Sequence, residues 1–466
     1  MPTTRPEPVG RRRTTVLQDA DFRHSILRKK YIAGCVNGVL CSGVVTLGYV
    51  PRMADARLAE LVADLPAVMV TGPRAAGKTT TARRLAAGIL RLDDPALAAV
   101  VAADPGAALR RVAEPVLIDE WQEVPQVLGA VKRAVDDDPR PGRFLLTGSV
   151  EADLTASMWP GTGRVVRVVL HGLAQREISG AAAGPGLVDI AMRGKLDEVR
   201  VPATPLSVDD YVALAAGSGF PEPALRLGPA ARWAWLESYL EHVVTRDVAV
   251  AGQTRDPVRL RRYLEVLGLT TAGLPTEATL SGTAGIDKRT ADAYDRLLAD
   301  LFLIDSVPAW TSNRLSRLAK RRKRYLTDPA LALVAARIST DDVLRDGDLL
   351  GRLLDTFVTA QLRPEVALLQ PRAHLHHLRT DAGRQEIDLV IDLGGGRVVA
   401  VEVKAGTAPS TRDARHLRWL RDELGKEFVR GILFHTGPHQ FDLDDRIWAV
   451  PIAALWASPV APAPRV

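Results

Sequence analysis

Residues 65–81 read Leu65-Pro66-Ala67-Val68-Met69-Val70-Thr71-Gly72-Pro73-Arg74-Ala75-Ala76-Gly77-Lys78-Thr79-Thr80-Thr81, and this stretch decides the fold. Leu65 to Val70 is a short apolar run bounded by a proline, the pattern of a buried strand. Gly72 to Thr80 satisfies G-x-x-x-x-G-K-[ST], and helix-forming text follows to about Ala87. Strand, loop and helix therefore come in the order a phosphate-cradling loop requires. Gly72 and Gly77 permit close approach of the backbone, so that the amides of Gly72, Pro73, Arg74, Ala75, Ala76, Gly77, Lys78, Thr79 and Thr80 can surround phosphate oxygens wherever an N–H is present. Lys78 adds a point charge, the helix N-terminus a positive dipole end, and Thr79 a hydroxyl for magnesium. The expected cofactors are ATP and Mg2+.

Working outward, Val116-Leu117-Ile118 is a buried-type strand ending in Asp119-Glu120. Asp119 is expected to hold the metal and Glu120 to polarise the attacking water as general base. Arg143 to Ser149 reads as another core strand, and ligands of open α/β sheets bind at the C-terminal strand edge, so Thr147 or Ser149 is the candidate sensor of the γ-phosphate. Phosphoryl transfer also recruits an arginine. Arg164, just before the strand-like Val165 to Leu170, is the first candidate, with Arg74, Arg84 and Arg111 as alternatives.

The chain has 466 residues, a length for roughly three domains at ~150 residues each. Its net charge of +6 fits a protein that meets polyanions, although the abundance of Arg and Ala also suits GC-rich coding. Its two cysteines, Cys35 and Cys41, have no zinc-ligand spacing around them and imply no disulfide scaffold. Tyr31 to Val50 is apolar but interrupted by Asn37, Ser42 and several glycines, and Arg28-Lys29-Lys30 stand where a lipoprotein signal would be greasy. Residues 1–47 are therefore read as a disordered or upstream extension, and the protein as cytoplasmic without membrane attachment.

Taken together the motifs resemble a prokaryotic family of AAA-type ATPases whose C-terminal half is the domain of unknown function DUF 4143. The resemblance rests on Tyr49-Val50-Pro51-Arg52, the loop Gly72 to Thr79, Leu92-Asp93-Asp94-Pro95, Leu117 to Trp121 and Leu145 to Ser149. It continues through Gly219-Phe220-Pro221-Glu222, Tyr239-Leu240, Arg246-Asp247, Asp300-Leu301-Phe302-Leu303 and Glu402-Val403-Lys404-Ala405-Gly406. Similar proteins carry Glu where this chain has Asp355 and Gln361, a departure that bears on any metal role for that helix. The expected fold class is α/β: an AAA-type core over 48–180, a Pro- and Gly-rich linker over 181–205, a helical region over 206–340 and a restriction-endonuclease-like α/β domain over 341–466.

In the helical region, Trp235, Tyr239 and Val243 recur at helical spacing and read as core. Two helices meet at the tight turn Gly285-Ile286, the second opened by Asp287 as N-cap, which suggests a winged helix-turn-helix, as the resemblance also implies. Lys288 and Arg289 would lie on the exposed recognition side, and Lys320, Arg321, Arg322, Lys323 and Arg324 would form a wing on DNA phosphates. A solvated face, or one for an acidic protein partner, fits the same charges.

Further on, Glu386 to Asp392 and Val398 to Lys404 read as a hairpin turned by Gly394-Gly395-Gly396. It brings Asp388 near Glu402 and Lys404, two carboxylates for a metal and a lysine for a water. The spacing resembles the PD-(D/E)XK nuclease superfamily, many of whose folds are catalytically silent. The leading expectation is an ATP-driven DNA-handling protein. The alternatives are an ATP-switched regulator of a protein partner and a small-molecule kinase, and nucleotide-dependent self-association is left open.

Overall fold

The computed structural model describes residues 48–148, 163–202, 204–247, 256–311, 321–380 and 383–457. The N-terminal extension with both cysteines, Ser149 and Lys320 lie outside the described residues. The described elements build three assemblies.

The first is a parallel sheet of β1 (Ala67–Thr71), β2 (Gly88–Arg91), β3 (Val116–Asp119), β4 (Phe144–Thr147) and β5 (Val166–Val169), in the spatial order β2-β3-β4-β1-β5. Successive side chains of a strand face opposite ways. Ala67 and Met69 accordingly enter one core, with Val127 and Val131 of the helix Val127–Asp137, while Val68 and Val70 enter another, with Leu58 and Ala82. Burial on both faces explains why β1, β3 and β4 read as nearly continuous apolar runs. Helix Lys78–Arg83 stops short of Ala87.

The second assembly is helical. Helices Pro229–His242, Pro257–Leu269, Glu277–Ala284, Lys288–Asp300 and Pro329–Ala336 share a core around Leu240, Tyr263, Tyr294 and Leu298. Trp235 and Tyr239 stack 5.3 Å apart and pack against that core, as their spacing indicates. Gly285, at φ +67°, terminates one helix in the left-handed conformation, and the Asp287 side chain caps the next by accepting from the Thr290 amide. A two-stranded antiparallel ribbon follows, β6 (Ile304–Val307) with β7 (Lys323–Leu326).

The third is a mixed sheet of β8 (His374–Arg379), β9 (Glu386–Asp392), β10 (Val398–Val403), β11 (Phe428–His435), β12 (Phe441–Asp444) and β13 (Ile447–Pro451), ordered β12-β13-β11-β10-β9-β8. Val390, Ala400 and Leu433 pack on helix Arg415–Leu424, and Leu389, Val401 and Phe434 on the opposite side with helix Gly347–Leu368. Here the linker expected over 181–205 is corrected. Leu187, Val188, Ile190 and Ala191 form a helix buried in this same core, because four apolar residues gain more by joining it than by staying in water. Helix Val208–Ala215 packs there too. Among the described residues no helix is long and apolar enough to cross a membrane.

Candidate active site

The loop after β1 takes a shape that only its glycines allow. Gly72 sits at φ +142°, where a Cβ would lie 2.1 Å from the Leu170 carbonyl oxygen, and Gly77 at φ +91°. Lys78 is 5% exposed, and its Nζ donates to the carbonyls of Gly72, 3.0 Å, and Pro73, 2.8 Å. Burial pushes the Lys78 ammonium down to about 8, opposed by Glu120 and Asp119 and assisted by Arg74. A cationic group already desolvated in an amide-lined cradle is the arrangement a polyphosphate would complete.

The parallel register brings three strand ends together. Asp119 pairs across the sheet with Thr147, and its Oδ1 accepts from the Thr147 hydroxyl at 2.5 Å and from the Thr79 hydroxyl at 2.7 Å. Thr79 and Asp119 are thus the pair that could hold magnesium. Glu120 follows with φ +53°, a left-handed conformation that costs a non-glycine residue of order 1 kcal/mol, and its carboxylate accepts from Gln122 Nε2. Lys78, Thr79, Thr80, Arg74 and Glu120 line a cavity of about 570 Å³, a size suited to a nucleotide.

Arg164 is a correction. Because β5 runs parallel to β1 with Val166 opposite Val68, the residue before β5 lies at the sheet edge away from the loop, roughly 20 Å off at ~3.3 Å per residue. It pairs there with Asp136, 2.8 Å. Arg74, one of the alternatives, lines the cavity instead, and so does Arg226, which sequence reasoning missed.

Other missed residues build the floor of the site. Arg52, buried beneath the loop, donates to the Ala76 carbonyl at 2.9 Å and the His171 carbonyl at 2.6 Å, and pairs with buried Glu177 at 3.1 Å. Glu177 also accepts from the amides of Met53 and Ala174. Next to it, the Gln175 amide donates to Gln361 Oε1, 2.6 Å, on the long helix Gly347–Leu368. Pro221, Glu222 and Leu225 close the cavity from the helical assembly. The Tyr49-Val50-Pro51-Arg52 and Gly219 to Glu222 motifs were signals without an assigned role; in space they face the loop.

The cations expected on DNA divide. Lys288, Arg289, Arg321 and Arg322 are exposed. Two are corrected: Lys323 is 3% exposed, and Arg324 pairs with Asp295 and Glu277, 2.7 Å each. Strand alternation turns Lys323 and Tyr325 into the protein.

The hairpin does bring Asp388, Glu402 and Lys404 together. Lys404 Nζ lies 3.0 Å from Glu402 Oε2, and the Val403 amide donates to Asp388 Oδ2, 3.0 Å. The metal role expected of Asp388 and Glu402 meets a competitor, however. Lys323 Nζ lies 2.6 Å from Asp355 Oδ2 and 3.2 Å from Asp388 Oδ1. Burial and the neighbouring Asp388 push the Glu402 carboxyl well above the usual range, and no three His, Cys, Asp or Glu side chains converge into a metal cage among the described residues.

Comparison with known proteins finds three matched regions. Residues 64–179 match an AAA domain, residues 208–342 a domain of unknown function, DUF8612, and residues 350–455 another, DUF4143. Two uncharacterized proteins, from Mycobacterium bovis and Mycobacterium tuberculosis, are each 29% identical over 404 residues, covering 86% of this chain and 83% of theirs. Among solved structures, a Walker-type ATPase of Pyrococcus abyssi is similar with a TM-score of 0.38 at 15% identity, covering 64% of this chain and 99% of that one. The AAA-domain match covers the loop and both acids, and the DUF4143 match covers the terminal sheet, so the chain joins a region similar to an AAA domain to one similar to DUF4143.

Proposed function

We propose that this protein hydrolyses ATP with magnesium at the loop after β1, and that the Thr79–Asp119–Thr147 hydrogen-bond network is the observation that carries this reading. Lys78 would neutralise the β- and γ-phosphates. Thr79 and Asp119 would hold magnesium, which supplies charge neutralisation on the phosphate oxygens. Glu120, held by Gln122, would take the proton of the attacking water, and Thr147 would report the γ-phosphate through its bond to Asp119. Arg74 replaces Arg164 as the arginine within reach. The test is phosphate release from Mg-ATP by the full chain and by Lys78→Ala and Asp119→Asn. The reading requires turnover in the parent and its loss in both variants; turnover that survives in either removes it.

A second reading, DNA binding, is favoured by the exposure of Lys288 and Arg289 at the start of a capped helix and of Arg321 and Arg322 beside the ribbon. Four phosphate contacts would give a log–log salt slope of about −3 to −4. Salt-insensitive or absent DNA binding would favour a protein partner instead.

A further inference from the structure

The acidic cluster of the C-terminal sheet already contains a cation. Asp355, on helix Gly347–Leu368, and Asp388, on β9, each turn one carboxylate oxygen to Lys323 Nζ, at 2.6 and 3.2 Å. Neutral donors hold their other oxygens. Tyr325 donates to Asp355 Oδ1 at 3.1 Å, Thr359 to the same atom at 3.3 Å, and the Val403 amide to Asp388 Oδ2 at 3.0 Å. Two carboxylates oriented by fixed donors toward one central point form the arrangement that hard divalent ions use, with one difference of scale: an ammonium sets the oxygens at hydrogen-bond distance, whereas magnesium or manganese would draw them to about 2.1 Å.

A second observation marks the place as a ligand site and not only an ion pair. Glu402, 3% exposed, neighbours both aspartate and lysine, yet its Oε1 is buried and has no hydrogen-bond partner among the described residues, Lys404 serving only Oε2. Lys404 satisfies one oxygen of Glu402, so its Oε1 is left over beside Asp388, the next cross-strand position on the antiparallel β9–β10 pair. Lys323 cannot simply withdraw, because β7 is paired with β6, its neighbour Arg324 is tied to Asp295 and Glu277, and Tyr325 is buried.

We propose that the Lys323 ammonium is a tethered substitute for a divalent cation, masking a metal site formed by Asp355 and Asp388 with Glu402 beside them. The native chain then binds no divalent ion there, and the C-terminal sheet is held closed on β7 by the cation that a metal would otherwise supply. This inference is independent of the ATP site, since its test contains no nucleotide.

The experiment titrates metal-stripped full-length protein with Mn2+ by calorimetry, in parallel with thermal melts. The wild type is expected to show no Mn2+ binding that Asp388→Asn removes. Lys323→Ala, and Lys323→Gln as the variant that keeps volume, are expected to melt lower, to bind Mn2+ at least tenfold more tightly than wild type, and to recover their melting temperature with the metal. Adding Asp388→Asn to either is expected to abolish both effects. A wild-type Mn2+ site lost in Asp388→Asn overturns the proposal, even if neither lysine variant folds. Folded lysine variants that gain no Mn2+ binding overturn it equally.

Discussion

Replacing Lys78 with methionine should change how the nucleotide-free protein responds to pH, and the size of the change follows from burial. The folded-state value is about 8 against 10.5 for an exposed lysine. A lysine depressed in this way costs stability wherever the unfolded chain holds the proton more tightly, so the whole cost is present below pH 8 and fades as pH rises from 8 to 10.5. At about 1.4 kcal/mol per unit, the wild type carries a penalty of about 3 kcal/mol at pH 7 and about 1 at pH 10. Measured as the difference between wild type and Lys78→Met, which cancels the other titrations, wild-type stability should rise by about 2 to 3 kcal/mol over that range. The assay is urea unfolding at pH 7, 8, 9 and 10. With Mg-ADP at a hundred times its Kd, wild type should gain about 2.7 kcal/mol and Lys78→Met nothing. A flat difference profile, or equal stabilisation of both proteins by nucleotide, would refute the argument that Lys78 is desolvated in order to meet phosphate.

Gly72→Ala should lose about 3 kcal/mol or more and most ATP binding, read by denaturation and nucleotide titration, because its Cβ would strike the Leu170 carbonyl. Arg52→Ala should cost about 3 to 5 kcal/mol in the same unfolding assay, since it strands buried Glu177. Arg324→Ala should lower the melting temperature without changing the DNA salt slope, whereas Arg321→Ala with Arg322→Ala should reduce that slope by about 2 and leave melting unchanged. Arg164→Ala should leave ATP turnover at concentrations where the protein is monomeric within a factor of two, because its guanidinium is at the far sheet edge.

What could be read from the sequence was local. The phosphate loop, the Asp119-Glu120 strand end, Thr147 and the Asp388 to Glu402 hairpin each lie within one strand and one turn, so a short stretch of sequence is enough to single them out. Errors arose where partners are distant along the chain. Arg52 and Glu177 are 125 residues apart and give no joint signal. Arg164 was misplaced for a reason that strand direction supplies: in a parallel sheet a residue preceding a strand lies opposite the loops that follow strands. Lys323 disappeared into a basic run, although its alternation with Tyr325 was the available sign that the two point inward together. Over 181–205 the prolines and glycines suggest a linker, while Leu187, Val188, Ile190 and Ala191 carry the signal of the buried helix.

The central claim, that two acids at the end of β3 divide the work of metal holding and water activation over a phosphate loop, meets its most direct test in Glu120→Gln. In a single-turnover experiment with Mg-ATP, this variant should bind nucleotide as tightly as wild type and retain it as ATP, with hydrolysis slowed by 10²-fold or more, as expected for loss of a general base. Hydrolysis at the wild-type rate in Glu120→Gln would contradict the account.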